Sequence, residues 1–298
     1  LWHLLMVGFA LNFGLSLGGL LTWVERKQSA VMQDRIGANR ASLFGFRILG
    51  LFHPIADAIK MVTKEDFLPP AGIPLFHTLA PAISLGFSLL CLAALPFGDH
   101  ILIAGRDLSL QPIPLSAGVV FVLAMLSVGV HGVVMAGYAS GSNYALLGGL
   151  RGAAQMISYE VTLALTLLGA LFVYGTLDLQ EAVRWQAHLM WGWLPCWGIF
   201  MQPLAFLLFL TAGVAESKRI PFDLPEGESE IVGYFVEYSG MKFGMFMFND
   251  FIETILLAGL TTTLFLGGWH IPGLESLELP QPVAALLQVG AFMVKTCA

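Results

Sequence analysis

The sequence has very little charge for its length. Only 11% of its 298 residues are Asp, Glu, Lys or Arg, whereas soluble domains average about 25%. Because 57% of the residues are hydrophobic, this scarcity excludes an ordinary soluble globular domain. The formal net charge of −6 argues against nucleic-acid binding, which needs a basic surface. The composition therefore indicates an integral membrane protein.

Cysteine is equally scarce. The chain has three cysteines, Cys91, Cys196 and Cys297, with no CxxC pair and no histidine at ligand spacing. This pattern excludes a disulfide framework and supports neither a zinc nor an iron–sulfur site. We expect that this chain binds no metal and that any redox metal belongs to a partner. The chain also lacks a charged segment followed by a cleavage site, so we expect no signal peptide and a trimmed start.

What the sequence does contain is a series of long runs without Asp, Glu, Lys or Arg. A helix needs about 20 largely apolar residues to cross a bilayer. These runs therefore predict an all-α integral membrane protein with a single polytopic domain over residues 1–298. The seven predicted transmembrane helices lie near residues 1–23, 73–97, 114–139, 154–174, 193–215, 240–263 and 282–298.

The distribution of basic residues predicts the orientation. If the first helix starts outside, the loops 24–72, 140–153 and 216–239 hold ten Lys or Arg residues, against two in the opposite loops. Cytoplasmic loops carry such an excess of basic residues. We therefore place these three loops on the cytoplasmic side, and Lys295, near the inner end of the last predicted helix, agrees with this orientation.

The inner segment 24–72 is too long for a simple turn. Between Leu43 and Glu65, apolar residues recur at helical spacing, and Asp57 and Lys60 fall on the opposite face. This pattern predicts an amphipathic helix at the membrane surface. Two interpretations remain open: a surface helix whose charged side chains reach the water, or a helix that roofs a cavity.

The inner segment Glu216–Gly240 carries six carboxylates and two basic residues. Asp223 and Glu226, with a proline between them, have the spacing of a helix cap and its capping acid. Glu226, Glu230 and Glu237 would then share one helix face, where like charges repel. The segment is either a solvated acidic loop or a row of carboxyl groups, some protonated, that pass protons.

Acidic residues also fall inside the predicted membrane helices. Glu160 lies at the start of the fourth helix, and Asp250 and Glu253 lie about two to three turns into the sixth. A carboxylate deep in a bilayer costs about 2.5–3.5 kcal/mol, so each should be buried, paired or neutral. Each could be one buried hydrogen-bonded acid in its helix. With Glu216 at the inner end of the fifth helix, we favour a proton relay.

Four stretches of the sequence resemble a known family. They are ERKQSAVMQDRIGANR after the first helix, PIADAIKMVTKED in the amphipathic segment, GYASGSNYALLGGLRGAAQMISYE into the fourth helix, and PFDLPEGESEIVGYFVEYSGMKF. From about Glu25 to Trp269, the chain resembles the H-subunit family of bacterial NADH–quinone oxidoreductase, respiratory complex I. The resemblance implies eight transmembrane helices, of which the eighth is absent after Ala298.

The resemblance also implies a function and a set of partners. It implies a non-redox subunit of the bacterial cytoplasmic membrane that forms much of a quinone chamber, with ubiquinone or menaquinone as substrate. Flavin and iron–sulfur clusters would belong to partner subunits. The implied partners are the peripheral-arm subunits, including the one with the terminal iron–sulfur cluster, small membrane subunits, antiporter-like subunits and the lipid bilayer.

The resemblance assigns roles to individual residues. Glu25, Arg26 and Asp57 would line the chamber and its entrance, and Glu216, Glu226, Glu228 and Glu230 would follow inward. Glu160 and Asp250 would continue the acidic path towards the antiporter-like subunits.

Several features depart from the family pattern. The chain reads GANR where GPNR is common, its segment from Arg40 to Pro54 is longer, and Asp250 stands where Glu is usual. The same motifs occur more loosely in membrane-bound hydrogenases and formate hydrogenlyase, which therefore remain an alternative. A stand-alone proton-coupled transporter is a third possibility, although such proteins usually have two related halves, which this sequence lacks.

Overall fold

The computed structural model describes residues 2–42, 45, 47–103, 105–190, 194–227, 233–274 and 280–298, and no side-chain position is given for Ile103. Two of the predicted chamber residues, Glu228 and Glu230, lie outside the described residues.

The described residues form ten helices and two short antiparallel hairpins. The helices are α1 Trp2–Met32, α2 His53–Thr63, α3 Pro74–Leu92, α4 Gly118–Ala139, α5 Asn143–Tyr174, α6 Leu179–Gln186, α7 Gly198–Met201, α8 Pro203–Glu216, α9 Gly240–Phe265 and α10 Gln281–Cys297. The hairpins pair β1 His100–Ile103 with β2 Arg106–Ser109, and β3 Leu189–Met190 with β4 Leu194–Pro195.

The predicted all-α membrane fold is confirmed. Among the described residues, five helices are long and apolar enough to cross a membrane: α1, α3, α4, α5 and α9. The amphipathic helix is present as α2. The sequence did not predict the two hairpins, which lie in the loops on the predicted outer side.

Two helices extend beyond the predicted boundaries. α1 continues to Met32, so Glu25 and Arg26 lie on its last turns rather than in a loop. α5 begins at Asn143, and Glu160 therefore lies in its middle. The prediction ended each helix near a charged residue, but a helix can continue past the apolar layer into water, where charges are tolerated.

The fifth predicted helix is broken. Its place is taken by the short α7 and by α8, which has only 14 residues. Pro203 begins α8, and Gln202 before it has a non-helical backbone with φ −139° and ψ 66°. The residue before a proline is disfavoured from helical conformation, which explains the break. The Gln202 amide donates to the Gly169 carbonyl of α5 at 2.8 Å.

α10 lies along the predicted outer end of the bundle, which corrects the seventh predicted span. The Gln288 side chain accepts a hydrogen bond from the Asp99 amide, next to the first hairpin. At the other end of α10, Lys295 donates to the carbonyls of Leu266, Gly268 and His270, just beyond α9. Lys295 therefore lies near the outer end, and its predicted place near the inner end was wrong.

α9 is the central helix of the bundle. It contacts α1, α2, α3, α8 and α10. Most of its residues from Asn249 to Phe265 are buried, whereas the first two turns are partly exposed. Close contact between helices depends on glycine: a Cβ on Gly132 of α4 would lie 2.8 Å from the Ser84 backbone nitrogen of α3.

The predicted helix cap at Asp223 is wrong. Residues 223–227 form turns, not a helix. The reason is that the Glu226 carboxyl group turns inward and shares a hydrogen bond with Asp250 instead of capping a helix. Of the face predicted for Glu226, Glu230 and Glu237, Glu230 lies outside the described residues, and Glu226 and Glu237 are not in a helix.

Candidate functional site

A group of charged residues joins α1 to α2. Arg26, on the extended part of α1, forms an ion pair with Asp57 of α2. Lys60, one turn further along α2, lies 3.2 Å from the same carboxylate. The Asp57 side chain is only 19% exposed. Water therefore screens its attraction to the two cations less than at a fully exposed site, and the attraction is stronger.

A second ion pair joins α1 to the segment after α8. The Arg219 guanidinium lies 3.1 Å from the Glu25 carboxylate. It also lies over the Phe251 ring of α9, 4.4 Å from the ring centroid, where a cation is attracted to the aromatic face. Glu25 and Arg26 are neighbours in sequence, so α1 holds both ion pairs on adjacent positions.

A cavity of about 650 Å³ opens between α1, α2 and α9. We call it the helix cavity. Its volume lies within the range of small-molecule sites, about 300–1,000 Å³. It has charged groups at one side and apolar side chains at the other. Its walls include Glu25, Arg26, His53, Lys60, Met61, Phe243, Gly244, Met247, Phe248 and Phe251.

A larger cavity of about 1020 Å³ lies beneath the acidic segment. We call it the loop cavity. It is lined by Lys64, Asp223, Glu226, Gly227, Phe235, Val236, Tyr238, Phe243 and Met247. Phe243 and Met247 of α9 therefore stand between the two cavities, because each contributes to both walls.

A third cavity of about 120 Å³ shares lining residues with both of these cavities. We call it the inner cavity. It is lined by Glu25 from the helix cavity, Asp223 and Glu226 from the loop cavity, and Lys218 and Asp250 from the interior. Met247 lines all three cavities. Of the predicted residues, Glu25, Arg26, Glu226 and Asp250 thus line this group of neighbouring cavities, whereas Asp57, Glu216 and Glu253 line none of the three.

Glu226 has an unusual environment for a carboxyl group. Burial, the nearby Asp250 charge and the hydrogen bond to Asp250 raise the pKa of Glu226 to about 9, against the opposing effect of Lys218. At neutral pH the group is therefore protonated and can donate a proton. A neutral acid next to a cavity is the arrangement expected of a general acid.

Lys218 is the centre of the buried charges. Its side chain is fully buried, and its ammonium nitrogen lies 2.6 Å from Asp250 Oδ1 and 3.8 Å from Glu253 Oε2. It also donates to the Tyr234 hydroxyl at 3.4 Å. Burial alone would lower the pKa of Lys218, but Asp250, Tyr234, Glu253 and Glu226 raise it well above its usual range, so the group is an ammonium.

Two further carboxyl groups lie deeper. Glu253 Oε1 accepts hydrogen bonds from Asn249 at 2.7 Å and Ser88 at 3.4 Å. Glu216 is fully buried, and within the described residues neither of its carboxyl oxygens has a hydrogen-bond partner. An unpaired buried carboxylate is costly, so Glu216 is expected to carry a proton. Its charge would interact with those of Glu253 and Glu160.

Glu160 lies apart from this group. It accepts a hydrogen bond from Ser127 of α4 and is only partly buried. Electrostatic interaction with Glu216 connects it to the interior, but it does not line any of the three cavities described above. Glu160 is therefore linked to the buried carboxyl groups through Glu216, whose charge also interacts with that of Glu253.

Sequence reasoning missed four residues of this site. Lys218 and Arg219 were counted only as the basic residues of an acidic segment, although two cations among six acids were a usable signal for pairing. Tyr234 and Met247 carried no such signal, because nothing in their local sequence reveals which cavity or ion pair they face.

The described residues offer no metal site. They contain no group of three or more His, Cys, Asp or Glu side chains that could hold an ion. Of the cysteines, Cys91 is buried, and Cys196 and Cys297 lie in other parts of the fold. What the site offers is an apolar space bordered by a neutral acid, ion pairs and aromatic side chains.

Comparison with known proteins places the chain in a family. The sequence profile of the NADH dehydrogenase family matches residues 4–298. The H subunit of NADH-quinone oxidoreductase from Thermomicrobium roseum is 46% identical over 268 residues, covering 88% of this chain and 77% of the relative. The H 1 subunit of the same enzyme from Geobacter metallireducens is 44% identical over 273 residues, covering 91% and 79%.

A more distant relative shows the same name. The H subunit of NADH-quinone oxidoreductase from Flavobacterium psychrophilum is 37% identical over 279 residues, covering 93% of this chain and 78% of the relative. These matches cover nearly all of the chain. The chain belongs to the H-subunit family of NADH-quinone oxidoreductase and is a membrane subunit of complex I.

Proposed function

We propose that this subunit forms much of the chamber in which complex I reduces a quinone, together with its entrance, and that it couples the reduction to proton translocation through buried carboxyl groups. The redox cofactors, flavin and iron–sulfur clusters, belong to partner subunits in this proposal. Docking of the peripheral arm above the loop cavity, contact with the antiporter-like and small membrane subunits, and a bacterial cytoplasmic membrane are parts of the same proposal.

One observation carries the proposal: Met247 lines three neighbouring cavities, whose walls include Arg26 of α1, Lys60 of α2 and the carboxyl groups of Glu226 and Asp250. A quinone has a flat, apolar ring with two carbonyl oxygens and a long apolar tail. Phe243, Met247 and Phe248 supply apolar surface, while Glu226 and the charged residues near Asp57 supply polar groups. Such a combination is typical of small-molecule sites.

The chemistry of quinone reduction suits this arrangement. Two-electron reduction forms a basic anion that takes up two protons. Glu226, protonated at neutral pH, can give a proton to such an anion and become negatively charged itself. The new charge would then act on Asp250 and Lys218, which lie next to it, and Lys218 in turn faces Glu253. Chemistry in the chamber and protonation in the interior are thereby connected through adjacent groups.

The rival functions are weaker. A hydrogenase or formate hydrogenlyase subunit would not need a cavity suited to a quinone, and the relatives above are named for quinone reduction. A stand-alone transporter would move solute as an isolated chain. A quinone-site inhibitor and liposome transport by the purified chain separate these alternatives.

The test uses Asp57→Asn in the assembled complex. Asp57 orients Arg26 and Lys60 at the helix cavity. We expect quinone reduction to fall roughly tenfold, equivalent to about 1.4 kcal/mol of transition-state stabilisation. Electron transfer from NADH to a soluble artificial acceptor should stay unchanged and report an intact peripheral arm.

Asp107→Asn is the matched control, because Asp107 lies in the β1–β2 hairpin with a 64% exposed side chain. It should retain full quinone reduction. Wild-type quinone reduction and proton pumping in Asp57→Asn would overturn the chamber proposal.

A further inference from the structure

Lys218 is the one described ammonium that faces the buried carboxyl groups of this site, and the proposed function gives it no role beyond that of a neighbouring charge. Its neighbours come from α9 and from the acidic segment itself. They are Asp250 and Glu253 of α9, Tyr234 of the acidic segment, and Glu226, whose carboxyl shares a hydrogen bond with Asp250.

The segment that carries Lys218 is held firmly. The Gln155 side-chain amide of α5 donates to the carbonyls of Ala215 at 2.8 Å and Phe222 at 2.7 Å, on either side of Lys218. Lys218 itself has φ 55°, a left-handed conformation that is unfavourable for a residue with a side chain. A surrounding structure that maintains such a conformation places the ammonium at a defined point.

The charge balance of the interior requires the ammonium. Asp250, Glu253 and Glu216 are buried carboxyl groups, and Glu226 is a fourth, partly buried at the cavity wall. A single ammonium can compensate one carboxylate, so the other carboxyl groups must carry protons to avoid a large desolvation cost. The 2.6 Å distance makes Asp250 the ionised member, and Glu226 and Glu253 the protonated ones.

We propose that Lys218 is a positioning residue that moves its ion pair from Asp250 to Glu253 when Glu226 gives up its proton. This inference rests on the proposed function and adds a specific group that moves negative charge inward from the chamber.

The step balances as a proton transfer. After Glu226 loses its proton to the reduced quinone, two carboxylates, Glu226 and Asp250, face each other. The proton of Glu253 then moves to Asp250, which donates it as a hydrogen bond to Glu226. Glu253 becomes the carboxylate, and the ammonium closes the distance of 3.8 Å to it. No electron moves, and Lys218 remains an ammonium throughout.

The contacts of Glu253 suit the second position. Its Oε1 already accepts hydrogen bonds from Asn249 and Ser88, and both stabilise an ionised carboxylate. Its Oε2 has no hydrogen bond within the described residues and is the oxygen that faces Lys218. Asp250 and Glu253, three residues apart on α9, thus offer the Lys218 ammonium two alternative partners.

The test compares Lys218→Met and Lys218→Arg in the assembled complex. Infrared difference spectra between the oxidised and the quinol-loaded complex report carboxyl protonation. We assign to Asp250 the carboxyl band that is absent from the difference spectrum of the Asp250→Asn complex. Lys218→Met should leave Asp250 protonated at rest, remove this signal, and reduce quinone-driven proton pumping at least tenfold. Lys218→Arg keeps the charge and should retain the signal and more than one third of the pumping.

Two controls separate this role from a structural one. Lys218→Met combined with Asp250→Asn removes both charges, so it should assemble and still lack the signal and the pumping. Lys295→Met removes a part-buried lysine at the other end of the bundle, which donates to three backbone carbonyls and lies over the Trp197 ring. Per assembled complex, it should keep both readouts.

The contrary outcomes are distinct. Assembled Lys218→Met that keeps the Asp250 signal and pumps within twofold of wild type overturns the proposal, and so does a double variant that pumps normally. If Lys218→Met does not assemble, loss of the signal in assembled Lys218→Arg overturns it. Asp57→Asn, measured in parallel, separates the two failures: normal quinone reduction there would instead overturn the chamber.

Discussion

At the scale of single residues, the protonation state of each carboxyl group decides its role in the site. Glu226 borders a large cavity yet is neutral at neutral pH, because burial and the neighbouring Asp250 raise its pKa. Asp57, between two cations, is by contrast an anion that holds other groups in place. A carboxyl group therefore serves as a proton donor at Glu226 and as an ion-pair partner for two cations at Asp57.

The pH dependence of quinone reduction should reveal Glu226. Since the pKa of Glu226 is raised to about 9, the proton is present below that pH and lost above it. Turnover of the wild-type complex should therefore fall as pH rises through about 9. Glu226→Gln removes the donated proton and should lower turnover at pH 7 by about 10²-fold, the usual contribution of a general acid.

The alkaline decline itself is the diagnostic feature. In Glu226→Gln the residual activity should no longer change near pH 9, whereas Asp107→Asn should keep the wild-type profile. The measurement is steady-state NADH–quinone reduction across this pH range, normalised to assembled complex. An unchanged decline in Glu226→Gln would assign it to another group.

At the scale of helices, close contacts between backbones fix the bundle. α4 packs against α3 at Gly132, where an added Cβ would meet the Ser84 nitrogen at 2.8 Å and the Ala80 carbonyl oxygen at 2.9 Å. Because both of these are backbone atoms, neither can rotate away. Small residues commonly allow such close approach between membrane helices.

Gly132→Ala should therefore destabilise the subunit. Separating two packed helices costs about 1–3 kcal/mol, as for other overpacked cores. Gly129, one turn earlier on the same helix, has nothing within 4 Å of an added Cβ, so Gly129→Ala is the matched control. Thermal loss of this subunit from the solubilised complex should occur at lower temperature for Gly132→Ala alone. Equal stability of the two variants would contradict this packing.

The helices show what could be predicted from sequence and what could not. Apolar runs located the five long spans, because bilayer thickness sets a minimum length for any spanning helix. They did not locate helix ends, since a helix such as α1 continues into water with charged residues. They also did not reveal that Pro203 breaks the fifth span or that α10 lies across one end.

At the scale of the whole molecule, the two ends of the bundle have different roles. The predicted inner end holds the three named cavities and the ion pairs of Asp57, Glu25 and Lys218. The predicted outer end is tied together by hydrogen bonds between loops. There, the buried side-chain amide of Gln180 donates to the carbonyls of Gly98 and Asp99, and its oxygen accepts from Ser109.

Gln180→Leu should affect stability without affecting chemistry. It removes the hydrogen-bond partner of the Gly98 carbonyl and of the Ser109 hydroxyl, at about 1–3 kcal/mol for each buried group left unpaired, whereas the Asp99 carbonyl still accepts from the Leu110 amide. Assembly and thermal stability should decrease, while quinone reduction per assembled complex should remain at the wild-type rate. A loss of turnover equal to the loss seen with Asp57→Asn would show that the outer end takes part in the reaction.

The site was predictable only in part, for a physical reason. Local sequence patterns identified Asp250, Glu253, Glu216 and Glu226 as acids in unusual places. The same patterns suggested that Asp223 and Glu226 capped a helix, because they contain no information about a partner 24 residues away on α9. The role of Lys218 likewise depends on contacts between distant parts of the chain, which only the fold brings together.

α9 extends from the cavities into the buried core of the bundle. Phe243 and Met247 in its first turns line the cavity walls, while most residues of its second half are buried. The start of α9 is fastened to the segment after α2, where Lys242 lies 2.8 Å from Asp66 and Ser239 donates to the Glu65 carbonyl. Lys218 belongs to a different segment, which Gln155 of α5 holds by two hydrogen bonds. The length of the Lys218–Asp250 ion pair is therefore set by the relative position of two helices that are anchored separately.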